Sequence, residues 1–104
     1  MIRVFFRTER GQVTGFSLSG HADAAPAGED IVCAAVSSAA YMTANTITEV
    51  LRLPAEISVG EGSMEAILTG DTAAAQAILS GFRLHILALQ EQYPACISVT
   101  DTTE

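Results

Sequence analysis

The stretch IVCAAVSSAAYMTANTITEVL, residues 31–51, decides how the rest of the chain can be arranged. The stretch contains no proline, and the next proline in the chain is Pro54. We therefore predict one long helix that ends before Pro54. Its many alanines and serines permit close packing, so we expect it to be the central helix, packed against a sheet or against a second copy of itself. The apolar part, Ile31 to Met42, is broken by serines and is shorter than the ~20 residues that span a bilayer. We therefore expect no transmembrane helix and no membrane partner.

Strand patterns lie on both sides of this helix. Ile2–Phe6 and Val13–Gly20 alternate apolar and polar side chains around the turn TERGQ, which predicts a first hairpin. EISV, residues 56–59, and SMEAILT, residues 63–69, flank the turn GEG and predict a second hairpin.

A second helix and a last strand complete the pattern. Asp71 or Thr72 can cap a helix that runs from Ala73 to about Gln92 and ends at Tyr93-Pro94. Its predicted core stripe consists of Ile78, Phe82, Ile86 and Leu89. ACISVT, residues 95–100, then predicts a strand. We therefore predict an α+β fold over residues 1–104: a single domain in the order ββαββαβ, with a mostly antiparallel sheet packed against two main helices.

Charge narrows the possible partners. The chain has 104 residues and a formal net charge of -7, with twelve acidic residues, five arginines and no lysine. A nucleic-acid binder needs cations that neutralise phosphates, so this balance argues against direct nucleic-acid binding and favours a basic protein or peptide. The N-terminal residues alternate as a strand does and do not resemble a signal peptide, so we expect a cytoplasmic protein.

A histidine and a cysteine stand at the two ends of GHADAAPAGEDIVCAAVSS, residues 20–38. The segment DAAPAGED, residues 23–30, predicts a mobile surface loop. With Asp30 as the N-cap, Cys33 would lie in the first helical turn, where unpaired amides favour the thiolate. His21, at the end of the second strand, would meet Cys33 at one edge of the sheet and serve as its base.

Other interpretations of these residues stay open. Cys33 can be a small buried side chain, as we expect for Cys96. His85 borders the core stripe of the second helix and is expected to be a packed or half-exposed residue. Ser37 and Ser38 are explained by close helix packing.

A metal site is a further alternative. Its ligands would be His21, Asp23, Asp30 and Cys33, all of them admissible for zinc. Their spacing matches no established zinc pattern, and Asp30 has a sufficient role as a helix cap or as the group that orients the imidazole.

The pieces GHA, DIVCAAVS and QEQYP together resemble the ribosomal-processing cysteine protease family, Prp or YsxB-like. The resemblance implies a cysteine endopeptidase that removes a short N-terminal extension from large-subunit ribosomal protein twenty-seven. It also implies an α+β homodimer without a cofactor, with His21 as general base, Cys33 as nucleophile and Asp30 as a supporting residue.

The resemblance further implies a loop that closes over the substrate. Its residues would be Ala22, Asp23, Pro26 and Gly28, with Gly20 as a further supporting residue. We expect amides at the helix start, including that of Cys33, to hold the oxyanion, and an apolar or aromatic pocket to lie between the loop and the central helix. The alternative functions are a non-catalytic dimeric module that binds a ribosomal protein, and a metal-dependent hydrolase.

Overall fold

The computed structural model describes residues 1–20 and 27–103, with the backbone alone for residues 27–30. The elements are β1 (Ile2–Glu9), β2 (Gln12–Ser19), α1 (Ala27–Asn45), β3 (Ala55–Gly60), β4 (Ser63–Leu68), α2 (Gln76–Gln92) and β5 (Ile97–Thr103). The strands form one sheet in the order β3-β4-β2-β1-β5, in which β1 and β5 are parallel and all other neighbours antiparallel. The predicted α+β class and the order ββαββαβ are confirmed.

The first hairpin is longer than its sequence pattern predicted. β1 continues to Glu9, and its turn is reduced to Arg10 and Gly11, which have φ angles of 52° and 78°. Two-residue hairpin turns need left-handed backbone at both central positions, because only this twist matches the twist of the strands. An arginine in the first of these positions gives no turn signal, which is why TERGQ was predicted to be a wider turn.

Helix α1 packs its small side chains onto the sheet. Its buried apolar residues recur every fourth position, so that they form one stripe along the helix, Val32, Val36, Ala40 and Ala44, with the buried Thr43 beside it. The helix continues as a π-helical turn over Thr46–Val50 and ends before Pro54, as predicted. Residues 31–50 are long and apolar enough to cross a membrane by length and composition, but the buried stripe contributes to the core as in the central helix of a globular domain.

The start of α1 differs from the prediction. The helix begins at Ala27, so the predicted loop does not extend to residue 30, and Asp30 is not the N-cap. Gly28 and Asp30 occupy positions of the first helical turn. The sequence permits this start, because a proline at or just before the first helical position costs no intrahelical hydrogen bond. Acidic residues also favour the first turn, where they face the positive end of the helix dipole.

Helix α2 closes the same face of the sheet. Asp71 accepts a hydrogen bond from the Ala73 amide at 2.9 Å, at the start of a 3₁₀ turn over Ala73–Ala75 that leads into the helix, whereas the N-cap of α2 itself is Ala75, which has no capping side chain. Phe82 and Ile86 are buried as predicted, with Ile78 and Leu89 half-buried beside them. Leu79, which the predicted stripe left out, is fully buried.

Aromatic contacts and one ion pair hold α2 in place. The Phe82 ring lies 5.6 Å from that of Phe6 and 4.7 Å from that of Phe16, measured between centroids. Arg83 binds Asp101 of β5 through two hydrogen bonds of 3.0 and 2.6 Å. This hydrogen-bonded guanidinium lowers the pKa of the Asp101 carboxyl, although partial burial acts in the opposite direction.

Candidate active site

An open cleft of about 240 Å³ separates α1 from the ends of β2, β3 and β4, and the Cys33 side chain lines it. Cys33 is half-buried, so its thiol is anchored by the helix but reachable from the cleft. Other lining residues come from α1, from the end of β2 and from the turn between β3 and β4: Ser37, Tyr41, Gly20, Gly62 and Ser63. The thiol of Cys33 thus lies at the side of a depression that is open to solvent.

Besides Val36 of the core stripe, the wall formed by α1 consists of Cys33, Ser37 and Tyr41. These residues are four apart, so they stack on one helix face, beside the stripe that packs onto the sheet. Ser37 was predicted to have only a packing role, and Tyr41 was not considered at all. The four-residue spacing from Cys33 was the sequence signal that would have identified both. Tyr41 supplies the aromatic side chain that was expected for the pocket.

The opposite wall depends on Gly20. Its amide donates a hydrogen bond to the Gly62 carbonyl at 3.0 Å, which ties the end of β2 to the β3–β4 turn. Gly20 has a φ of 95°, and a Cβ at this position would collide with the Met1 carbonyl oxygen. Glycine is therefore required here on two independent grounds, backbone conformation and space. The backbone at Gly20, directly after β2, is therefore held in a fixed position at the edge of the cleft.

The residue after Gly20 is His21. His21, Ala22, Asp23 and Pro26 lie outside the described residues, and so does the side chain of Asp30. Gly20 itself lines the same cleft as Cys33, so the chain enters the undescribed segment beside the thiol.

The helix start changes the environment expected for Cys33. Because α1 begins at Ala27, Cys33 lies in the second turn and not in the first. Its amide is in the interior of the helix, where an N–H donates to the carbonyl four residues earlier, here that of Glu29. The Cys33 amide is therefore committed within the helix, and the prediction that it holds an oxyanion is wrong. The amides of residues 27–29 are the ones that this helix start leaves without intrahelical partners.

The remaining candidate side chains lie apart from the cleft. Cys96 precedes β5, is half-buried against the core and is not joined to Cys33 by a disulfide. His85 is exposed on α2, so the predicted packing of its side chain is not found. Among the described side chains, those of residues 1–20 and 31–103, no group of three or more histidine, cysteine or acidic residues is placed to hold a metal ion. The proposed metal ligands other than Cys33 lie outside the described side chains.

A half-buried thiol on a core helix, beside an open cleft, is an arrangement that a thiol-dependent enzyme can use. Comparison with known proteins specifies the family. The family model described as cysteine protease Prp matches residues 1–98, and the chain belongs to this family. It is accordingly a cysteine-type peptidase.

Solved structures agree with this assignment. The ribosomal processing protease Prp from S. aureus in complex with a substrate peptide is 25% identical, with a TM-score of 0.89 over 98% of this chain and all of the other. The same protease with a covalently linked product peptide is 26% identical, with a TM-score of 0.87 and the same coverage. SMU.848 from Streptococcus mutans is 25% identical, with a TM-score of 0.84 over 100% of this chain and 96% of the other. No curated protein sequence gives a significant match.

Proposed function

We propose that this protein is a ribosomal-processing endopeptidase that removes the short N-terminal extension of large-subunit ribosomal protein twenty-seven. The proposal rests on one observation. The half-buried Cys33 and Gly20, the residue directly before His21, line the same cleft. The S. aureus relative is described as a ribosomal processing protease and binds a substrate peptide, which supports the same substrate class here. Ribosomal proteins are made in the cytoplasm, so we expect the enzyme to act there.

In this mechanism, the Cys33 thiolate attacks the scissile carbonyl and forms a tetrahedral oxyanion. Protonated His21 donates its proton to the leaving amine as the C–N bond breaks, which leaves a thioester. His21 then takes a proton from water, and the hydroxide attacks the thioester and releases the new carboxylate and the thiolate. Asp30 is proposed to orient His21, and amides among residues 27–29 are proposed to bind the oxyanion. No step requires a cofactor.

The position of Cys33 suits a nucleophile. Val32 and Val36 anchor the adjacent face of α1 in the core, so the thiol is presented by a rigid element. Groups on regular elements hold their geometry better than groups on loops, which favours attack from a fixed direction. Residues 21–26 would form the segment that closes over the peptide, without Gly28, which is part of α1.

Cleavage of a synthetic peptide that spans the extension tests the proposal. Cys33→Ala is expected to abolish cleavage, and His21→Ala to reduce kcat at least ~100-fold, the low end of what general acid–base catalysis contributes. Cys96→Ala is the matched control, because that thiol lies outside the cleft, and it is expected to retain activity. Intact-mass spectrometry is expected to detect an acyl adduct that is absent from Cys33→Ala.

Three outcomes would contradict the mechanism. Cleavage by Cys33→Ala would remove the thiol from the reaction. Inhibition by a chelator would support the metal-dependent hydrolase instead. Peptide binding by the wild-type protein without any cleavage would support the non-catalytic module.

We also propose that two copies associate, as the resemblance to the family implies. In support, several apolar side chains of α1 and β3 are exposed: Ile31, Met42, Ile57 and Val59. Sedimentation velocity is expected to show a dimer that Met42→Glu weakens. Leu84→Glu, on the exposed side of α2, is the control and is expected to leave the dimer intact. A wild-type monomer at micromolar concentration would contradict the association.

A further inference from the structure

The outer face of the sheet, opposite α1 and α2, contains an open trough of about 500 Å³. Phe5, Ser17, Glu65 and Ser58 form one row of strand partners across β1, β2, β4 and β3. This row, together with the row beside it, gives the trough its outward-facing lining: Phe5, Ser17, Ser19, Ser58, Ser63 and Glu65. The helices cover only the inner face in the described part of the chain, so the trough is open to solvent. Small hydroxyl side chains and one aromatic ring leave room for an extended peptide.

The trough continues into the cleft that holds Cys33. Gly60 and Ser63 line both depressions. They lie at the turn end of the β3–β4 hairpin, where the strands stop and the sheet has an edge. A chain that leaves the cleft over this edge reaches the outer face directly. The trough crosses three inter-strand spacings of about 4.8 Å, which an extended chain covers with roughly five residues.

Charge indicates which kind of chain the trough accepts. The β3–β4 hairpin, residues 55–68, contains no arginine, lysine or histidine. Its three acidic residues are all exposed: Glu56, Glu61 and Glu65. None of the described residues that line the trough is basic, and the arginines of this face, Arg3 and Arg7, lie on β1. The hairpin side of the trough therefore favours a cationic occupant.

We propose that the trough is a second binding site for the substrate, which holds the basic stretch that follows the scissile bond. This inference rests on the proposed function. The extension is short and is taken up by the cleft, so the much longer remainder of the precursor must leave on the other side of the cleaved bond. A protein that binds ribosomal RNA carries many cations to neutralise phosphates, which match the acidic hairpin. Glu65, at the centre of the trough, is the specificity-determining residue.

A binding measurement tests the site separately from cleavage. The probes are two fluorescent peptides of the precursor, one ending shortly after the scissile bond and one continuing for about a dozen residues, enough to cross the trough. In the Cys33→Ala background, fluorescence anisotropy is expected to show tighter binding of the longer peptide. Glu65→Lys is expected to remove that advantage, roughly 3- to 10-fold at low ionic strength. The difference is expected to shrink at high salt, because exposed charges are screened.

Kinetics with the active enzyme provide the second readout. Glu65→Lys is expected to raise KM for the longer peptide, with kcat and the cleavage of the shorter peptide unchanged. Glu91→Lys, an equal charge change on exposed α2, is the matched control and is expected to change neither. Equal loss on both peptides, no loss on either, or the same loss in Glu91→Lys would overturn the inference, as would a change of oligomeric state in Glu65→Lys. If the wild type cleaved neither peptide, the proposed function would fail, and the Glu65 dependence of binding would still decide the inference.

Discussion

Replacing Gly20 by alanine is expected to destabilise the protein more than its single added methyl group suggests. The left-handed φ of 95° costs a non-glycine residue about 1–2 kcal/mol. The Cβ would also collide with the Met1 carbonyl oxygen, and forcing a group into occupied space typically costs about 1–3 kcal/mol. Alanine lowers the entropy of the unfolded chain, which returns about 0.4–1 kcal/mol. The net loss in the free energy of unfolding is thus about 2–4 kcal/mol.

Thermal and urea unfolding measure this loss. At about 4–8 °C per kcal/mol for a domain near this size, Tm is expected to fall by roughly 8–30 °C. Gly81→Ala is the matched control: Gly81 lies in α2 with nothing within 4 Å of an added Cβ, and it is expected to gain about 0.5–1 kcal/mol. Because Gly20 lines the cleft, the folded Gly20→Ala enzyme is also expected to lose kcat/KM at temperatures well below its Tm. A Gly20→Ala protein within about 0.5 kcal/mol of the wild type would refute the reasoning, since surface changes commonly fall in that range.

Three further substitutions test the core, the hydrogen bonds between Gln76 and Val13, and the ion pair between Arg83 and Asp101. Phe82→Ala is expected to cost about 3–5 kcal/mol in urea unfolding, whereas the control Phe82→Leu should keep most of the stability, because it preserves most of the buried volume. Gln76→Ala is expected to cost about 1–3 kcal/mol by the same measurement, because Gln76 bonds both the N–H and the C=O of Val13 at 2.9 Å and leaves them unsatisfied when removed. Asp101→Asn is expected to cost at most about 1 kcal/mol near neutral pH, because Arg83 and Asp101 are 37% and 46% exposed. Since Arg83 lowers the pKa of Asp101, this contribution is present above the unfolded-state pKa near ~3.9 and is lost as pH falls through the lower folded-state pKa, which a pH series of unfolding curves would show.

Local patterns in the sequence predicted most of the fold. Alternation along the strands and the four-residue stripe of α2 are local signals, and they gave the correct order and type of the elements. Where a boundary depended on a residue with two possible roles, the prediction was wrong. Pro26 both breaks and starts helices, and the acidic residues after it suit a loop as well as a first turn, so α1 begins at Ala27 rather than after Asp30.

The site was predictable in part, for a different reason. The position of Cys33 close to Gly20 follows from where α1 begins and where β2 ends, and the sequence marks both regions. The opposite wall comes from Gly60, Gly62 and Ser63, more than twenty residues away along the chain. That proximity follows from the pairing of β2 with β4, a long-range contact that no local pattern encodes.

The two stripes of α1 have a consequence for how this enzyme can change over evolution. Three cleft residues of the helix directly follow core residues in the chain: Cys33 follows Val32, Ser37 follows Val36 and Tyr41 follows Ala40, and Val36 itself lines the cleft from the core stripe. A change of side-chain volume on the core stripe therefore rotates or shifts the helix and moves the cleft wall with it, because close-packed interiors transmit such strain. Selectivity for peptides can thus be altered by residues that no peptide touches, and variants selected for a new substrate are expected to carry substitutions on the core stripe as well as in the cleft.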